Sequence, residues 1–278
     1  MNSWEKDVAN KERFEFGKNW EAFLASLNEN QINEAEKSLV EMLDSSSLSG
    51  KRFLDVGCGS GLFSLAARRL GADVYSFDFD PNSVACTNNL KKRYFTDDVK
   101  WKIESGSALD LDYIKSLPPV DIVYSWGVLH HTGDMWTALK SIGQLVPEVG
   151  KFFIAIYNDQ GTMSSFWLKV KKIYNGSVIG RIAIMSMFIP IFVLKGLVID
   201  LLHLRSPLQR YYEFKRERGM SIYYDWKDWL GGYPFEYSSA EKIIDFFNKE
   251  NLLLCKLKQR PKMNEFVFSK VSHRKESV

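Results

Sequence analysis

Two short runs in this 278-residue chain combine residue types able to do chemistry. The first is Leu54-Asp55-Val56-Gly57-Cys58-Gly59-Ser60-Gly61. Glycines at alternate positions let a backbone turn sharply and let a ligand approach where a Cβ would stand in the way. Asp78 follows 17 residues after Gly61, a carboxylate able to accept both hydroxyls of a ribose. The second run, Ser125-Trp126-Gly127-Val128-Leu129-His130-His131, holds two of the four histidines. Histidine titrates near neutrality, so either one could take the proton of a hydroxyl nucleophile.

These runs need elements to hold them. Apolar stretches read as strands at residues 52–57, 72–78, 99–105, 120–126 and 151–158, with helical stretches between several of them. Residues 62–70 form one such helix, closed by Gly71 at its C′ position, and Pro81 after Asp80 opens another. Strand–helix alternation predicts a parallel sheet with helices on both faces. Upstream, Ile32, Ala35, Leu39 and Leu43 share one helix face, preceded by Phe14, Phe16 and Trp20. Downstream, Ser238-x-x-Glu241 predicts a capping box ahead of Ile243, Ile244, Phe246 and Phe247. Residues 252–257 and 265–268 read as an antiparallel strand pair at the sheet edge.

A dinucleotide fingerprint would need a third glycine where Leu62 stands, and no Gly-Lys-Ser/Thr follows to make a P-loop. Residues 51–158 instead resemble the core of class I S-adenosylmethionine-dependent methyltransferases. The resemblance implies a Rossmann-like seven-stranded sheet, mostly parallel with the last strand antiparallel. A helical N-terminal cover and a helical insert after the fifth strand would complete it. It implies S-adenosylmethionine as cofactor, held by Asp55, Gly57, Cys58, Gly59, Gly61 and Leu62, with Asp78 on the ribose and Phe79 on the adenine. Ser107 and Ala108, then Ser125 and Trp126, would complete the site, and Lys18 and Trp20 would close over the methionine end. Ser107 stands where many members carry an aspartate near the adenine amine, a weaker partner. Relatives ending the fourth strand in Leu-Glu-His align their histidine with His131, which ranks it ahead of His130 as base. The missing glutamate argues against a metal here. The Asp/Asn-Pro-Pro-aromatic signature of DNA base methylation is absent.

Charge is unevenly spread. The net +3 comes from 37 basic and 34 acidic residues, yet residues 158–220 hold ten basic against four acidic. That insert is basic and apolar; its longest uncharged run, residues 182–194, falls short of the roughly 20 residues a spanning helix needs. It reads as a lid over a lipophilic acceptor, an interfacial surface at a membrane, a packed subdomain or a dimer face. It is too apolar, with charges too scattered, for nucleic acid. Residues 222–237 are dense in aromatics, and Tyr224, Asp225, Trp229 and Tyr233 are candidates to line an acceptor pocket. With 14–20 and 264–268, this stretch is similar to a bacterial group related to polyprenyl-hydroxyphenol (ubiquinone-pathway) O-methyltransferases. Three cysteines without metal spacing and a polar N-terminus point to a reducing, cytoplasmic setting.

The expected organisation is a cover at 1–50, a cofactor core at 51–158, the insert at 159–221 and a substrate-side stretch with closing elements at 222–278. The expected reaction is methylation of a small-molecule hydroxyl: a phenol or quinone-like compound, a natural product or a glycan. An amine acceptor and a non-catalytic cofactor-binding protein remain open alternatives.

Overall fold

The computed structural model describes residues 3–218 and 222–270, without the side chains of residues 18, 19, 21, 22, 215–218 and 224. Alternation along the strands sets its two layers. In the strand Lys151–Tyr157, Phe152 and Ile154 face one apolar core while Phe153 faces the other, and all are buried. The strands are β1 (Arg52–Val56), β2 (Asp73–Asp78), β3 (Trp101–Ser105), β4 (Ile122–Trp126), β5 (Lys151–Tyr157), β6 (Leu252–Lys258) and β7 (Met263–Lys270). Their order is β3-β2-β1-β4-β5-β7-β6, with β1–β5 parallel and β7 antiparallel to both its neighbours.

The two final strands form the expected antiparallel pair at the sheet edge, with β7 on the inside. β7 enters between β5 and β6 because Phe266, Val267 and Phe268 are all buried, as a strand covered on both faces must be. β6 alternates more and less buried residues and takes the outermost place.

Helices α3 (Glu29–Leu43), α4 (Leu62–Arg69) and α5 (Pro81–Tyr94) cover one face. Ile32, Ala35, Leu39 and Leu43 are the buried stripe of α3. Asp80 caps α5 by accepting from the Asn82 N–H, with Pro81 in the first turn. Helices α6 (Leu111–Ser116), α7 (Met135–Gly143) and α12 (Ala240–Lys249) cover the other face. Ser239, not Ser238, caps α12. Ser238 is drawn into a bridge with Asn158 and its N–H donates to the Tyr157 carbonyl.

The N-terminal segment contributes α1 (Ser3–Ala9) and α2 (Gly17–Ser26). Between β5 and α12 run α8 (Thr162–Gly176), α9 (Val178–Leu202), α10 (Pro207–Arg218) and α11 (Ile222–Gly231). Val170, Tyr174, Ile184, Phe188 and Leu230 give them a small core of their own. α9 corrects the expectation of a short apolar run. Pro190 does not end it and Lys195 does not interrupt it, so it reaches 25 residues, long and apolar enough to cross a membrane by length and composition.

Candidate active site

Carboxyl ends of parallel strands converge where sheet order reverses, here between β1 and β4. A cavity of about 470 Å³ opens there. Its floor is the turn after β1. Gly57, Gly59 and Gly61 all have positive φ, and a Cβ on Gly57 would lie 2.3 Å from the Val128 side chain. At Gly59 it would meet the Trp20 indole at 3.2 Å. Glycine is therefore required on two counts: backbone conformation and close approach.

Asp78 ends β2 at the cavity wall. Its two carboxylate oxygens accept from the Gly59 and Asp80 N–H groups, at 2.9 and 2.8 Å. Each oxygen keeps a further lone pair. Burial pushes this carboxyl up to about 6. Asp55, also in the wall, is pushed by burial and by the neighbouring Asp78 to about 7, against the Ser64 hydroxyl donated at 2.5 Å. Cys58, Leu62, Phe79, Ser107, Ala108, Trp20 and Trp126 line the same cavity. Burial raises the Cys58 thiol, which accepts from Thr87 Oγ1 and stays neutral. Ser125 does not line it: its hydroxyl is buried and donates to the Val56 carbonyl, tying β4 to β1. The Lys18 side chain lies outside the described ones.

The two histidines part company on the short helical turn Leu129–His131. His131 lines the cavity, and its Nδ1 bonds the Pro234 carbonyl. A carbonyl only accepts, so Nδ1 carries the hydrogen and Nε2 keeps its lone pair. Burial lowers His131 to about 3, with Lys171 and Arg13 adding to the effect. His130 lies outside the cavity, fully buried against the Tyr157 ring, with neither ring nitrogen hydrogen-bonded among the described residues. Burial holds it neutral.

The aromatic stretch is mostly helix, and helical phase decides what faces the cavity. Asp228 of α11 does, as does Tyr157 of β5. Asp225 and Trp229, one turn apart, instead face a separate cavity of about 290 Å³ beside α9 and α10, with the Trp229 ring against Trp167. Tyr233 lies beyond the helix and contributes its carbonyl to the Phe14 N–H. The Tyr224 side chain lies outside the described ones.

Several residues were not anticipated. The Arg13 guanidinium donates to the His131 and Thr132 carbonyls at 2.9 and 3.1 Å and lies 4.9 Å above the Phe79 ring. Asp80 accepts from the Gly17 N–H at 2.8 Å and so holds the start of α2 over the cavity. Lys171 of α8 is buried, donating to the Trp229 carbonyl with its ammonium 5.0 Å from the Phe235 ring centre. Burial lowers it to about 7. Its helical spacing with Trp167 and Tyr174 was the available signal, since Lys169 and Lys172 are exposed.

This strand order, with a glycine turn after β1 and an acid ending β2, is the class I Rossmann-like methyltransferase arrangement. Residues 27–252 match the family described as Methyltransferase domain. The chain belongs to that family, whose class uses S-adenosylmethionine as methyl donor. It is 32% identical over 119 residues to the ubiquinone biosynthesis O-methyltransferase of Citrobacter koseri, covering 42% of this chain and 47% of that protein. The chain thus spans about half the length of the curated relatives it matches. Among solved structures, the magnesium protoporphyrin IX methyltransferase of Synechocystis PCC 6803 with bound SAH superposes with TM-score 0.51 at 12% identity, over 97% of this chain and 88% of that one. An O-methyltransferase family protein from Burkholderia thailandensis gives 0.52 at 10%, over 87% and 59%. At such identities the likeness is one of fold.

Proposed function

We propose that the chain methylates an acidic hydroxyl, phenolic in character, on a small molecule bound between the glycine turn and α11. Supporting the cofactor half is the fit of the residues present. Asp78 keeps one lone pair per oxygen for the two ribose hydroxyls, and the glycines leave the floor open to a bulky ligand. Two raised carboxyls in the wall suit a ligand carrying positive charge. Phe79, Ser107 and Ala108 would border the adenine, and Trp20 on α2 would close over the methionine end. When bound, S-adenosylmethionine supplies an electrophilic methyl group.

The observation that carries the reaction type is His131, locked with Nδ1–H on the Pro234 carbonyl and Nε2 unprotonated in the wall of the same cavity. Such an imidazole receives the acceptor's proton as the oxygen attacks. Methyl transfer is a direct displacement, so the rest of the work is alignment and exclusion of water. A base held near 3 is weak, and a weak base suits an acceptor whose hydroxyl is itself acidic, a phenol in preference to an alcohol. The Lys171 ammonium nearby favours the oxygen that gains negative charge.

The test is release of S-adenosylhomocysteine from a panel of catechols, phenols and matched anilines, with wild type and His131→Ala. Turnover of phenols that His131→Ala abolishes supports the reading. Turnover of amines that survives the substitution overturns it in favour of N-methylation.

A further inference from the structure

A helix that is apolar on every side is normally buried on every side. α9 is not: 17% of its apolar stretch is buried in the fold. Its inner face, Ile184, Phe188, Gly196 and Asp200, packs toward α8, α10 and α11. On the opposite side Met187, Ile191, Leu194, Val198 and Leu201 recur at alternating four- and three-residue spacing, between 48% and 74% exposed. Leu202, Leu204 and Leu208 continue the patch and are more exposed still. A contiguous apolar surface of this kind marks an interaction site.

Basic residues flank the patch along the chain. Lys169 and Lys172 on α8, Arg181 and Lys195 on α9, and Arg205 after it are all exposed. Asp200, the acid on α9, is engaged by Arg210 through both carboxylate oxygens at 2.7–2.9 Å. A second copy of this chain would bring the same basic residues against themselves, whereas an anionic surface complements them. The helix is also held along its inner face from Ile184 to Asp200, so it cannot thread a bilayer without carrying the sheet with it.

We infer that this face docks on an anionic phospholipid bilayer, with α9 lying in the headgroup plane, its outer residues among the acyl chains and the basic residues on the phosphates. The docked subdomain is the one whose α11 contributes Asp228 to the reaction cavity, so the acceptor end would stand close to the lipid. No step of the proposed reaction depends on the docking, and its test does not use methyl transfer.

The measurement is co-sedimentation of the full chain with vesicles of phosphatidylcholine alone and of phosphatidylcholine with phosphatidylglycerol. Binding to the second kind at low salt, weakened by added salt, is expected. The pair Leu194→Asp/Val198→Asp should lower that affinity by at least about tenfold, since two exposed apolar side chains lose their insertion. Lys169→Glu/Lys172→Glu should weaken it too, with S-adenosylhomocysteine binding as in wild type to show the fold intact. Absence of pelleting with phosphatidylglycerol vesicles at low salt overturns the inference, as does binding that neither pair alters. A dimer in sedimentation velocity that Leu194→Asp/Val198→Asp dissociates, without vesicle binding, also overturns it and assigns the face to a second copy.

Discussion

The two ends of the cavity bury ionisable groups of opposite kind, acids at one and bases at the other. At the glycine-turn end the carboxyls of Asp55 and Asp78 are raised by burial, to about 7 and about 6. At the histidine end burial drives His131 down to about 3 and Lys171 down to about 7. Asp228 is the acid of that second end. Taking charge out of water destabilises a fold unless partners compensate, and a well-packed apolar replacement is often the more stable choice. Both ends therefore look shaped by what they bind. In the proposed reaction the first would accept hydroxyls and positive charge, and the second would meet the attacking oxygen. They also differ in construction. Backbone makes the first, from three positive-φ glycines and the register of β1 beside β2. Side chains from α11, the strap around Arg13, β5 and the turn after β4 make the second.

The largest effect that could break this contrast belongs to His131. Replacement by Ala should lower kcat by about 10²–10⁴-fold, the usual range for a positioned base, and leave S-adenosylhomocysteine affinity unchanged. Equal losses in both would mean that the residue only shapes the cavity. Asp78→Asn should do the reverse. Hydrogen bonds to a charged acceptor contribute about 1.5–3 kcal/mol each, so losing the charge at two ribose hydroxyls should weaken S-adenosylhomocysteine by roughly 100-fold in calorimetry. Without ligand, Asn offers one oxygen to the Gly59 and Asp80 N–H groups at every pH, so the variant's stability deficit against wild type should be larger near pH 4 than near pH 7. The folded carboxyl titrates at about 6, above its unfolded value of about 3.9, so wild-type stability declines across that window and the ionised group opposes folding beyond it. A deficit unchanged between those two pH values would remove the first end from the comparison. Gly57→Ala should follow, with about 1–3 kcal/mol of backbone strain before any displacement of Val128. Weaker S-adenosylhomocysteine binding and a drop of several degrees in Tm would be its signature.

That asymmetry of construction also explains how much could be read in advance. Backbone-built features follow from local pattern, so the five parallel strands, the glycine turn, Asp78 and the capped helix after Asp80 were legible. Converging side chains do not share a local pattern. Arg13 reaches residues more than a hundred positions away, and nothing near it in sequence marks the Phe79 ring it covers. Residues 222–237 showed aromatics without phase; once they coil into α11, the face carrying Asp228 turns to the cavity and the one carrying Asp225 and Trp229 turns away. His130 and His131 are adjacent, and only the turn they sit on buries one and presents the other. β7 beside β5 was similarly hidden, because burial on both faces distinguishes a central strand only when its neighbours are known.

Lys171 offers the smallest effect and the sharpest test of the second end. Lys171→Met keeps the length of the stem between Trp229 and Phe235 and deletes the buried ammonium. The substitution lifts the burial penalty of the ammonium but leaves the Trp229 carbonyl without its donor and Asp228 without its cation, so the telling quantity is how the Tm difference changes with pH. The folded lysine titrates at about 7 and the unfolded one at about 10.4. Below the lower value both states bind the proton and wild type bears the whole penalty of burial. Between the two values the unfolded state binds more protons, so wild-type stability climbs with pH relative to Lys171→Met. The same substitution removes one of the cations that depress His131, so the acid limb of the rate profile should move toward higher pH. A stability difference that stays flat from about pH 6 to 10, with an unmoved acid limb, would mean that Lys171 keeps its proton in both states across that range and that burial does not depress it.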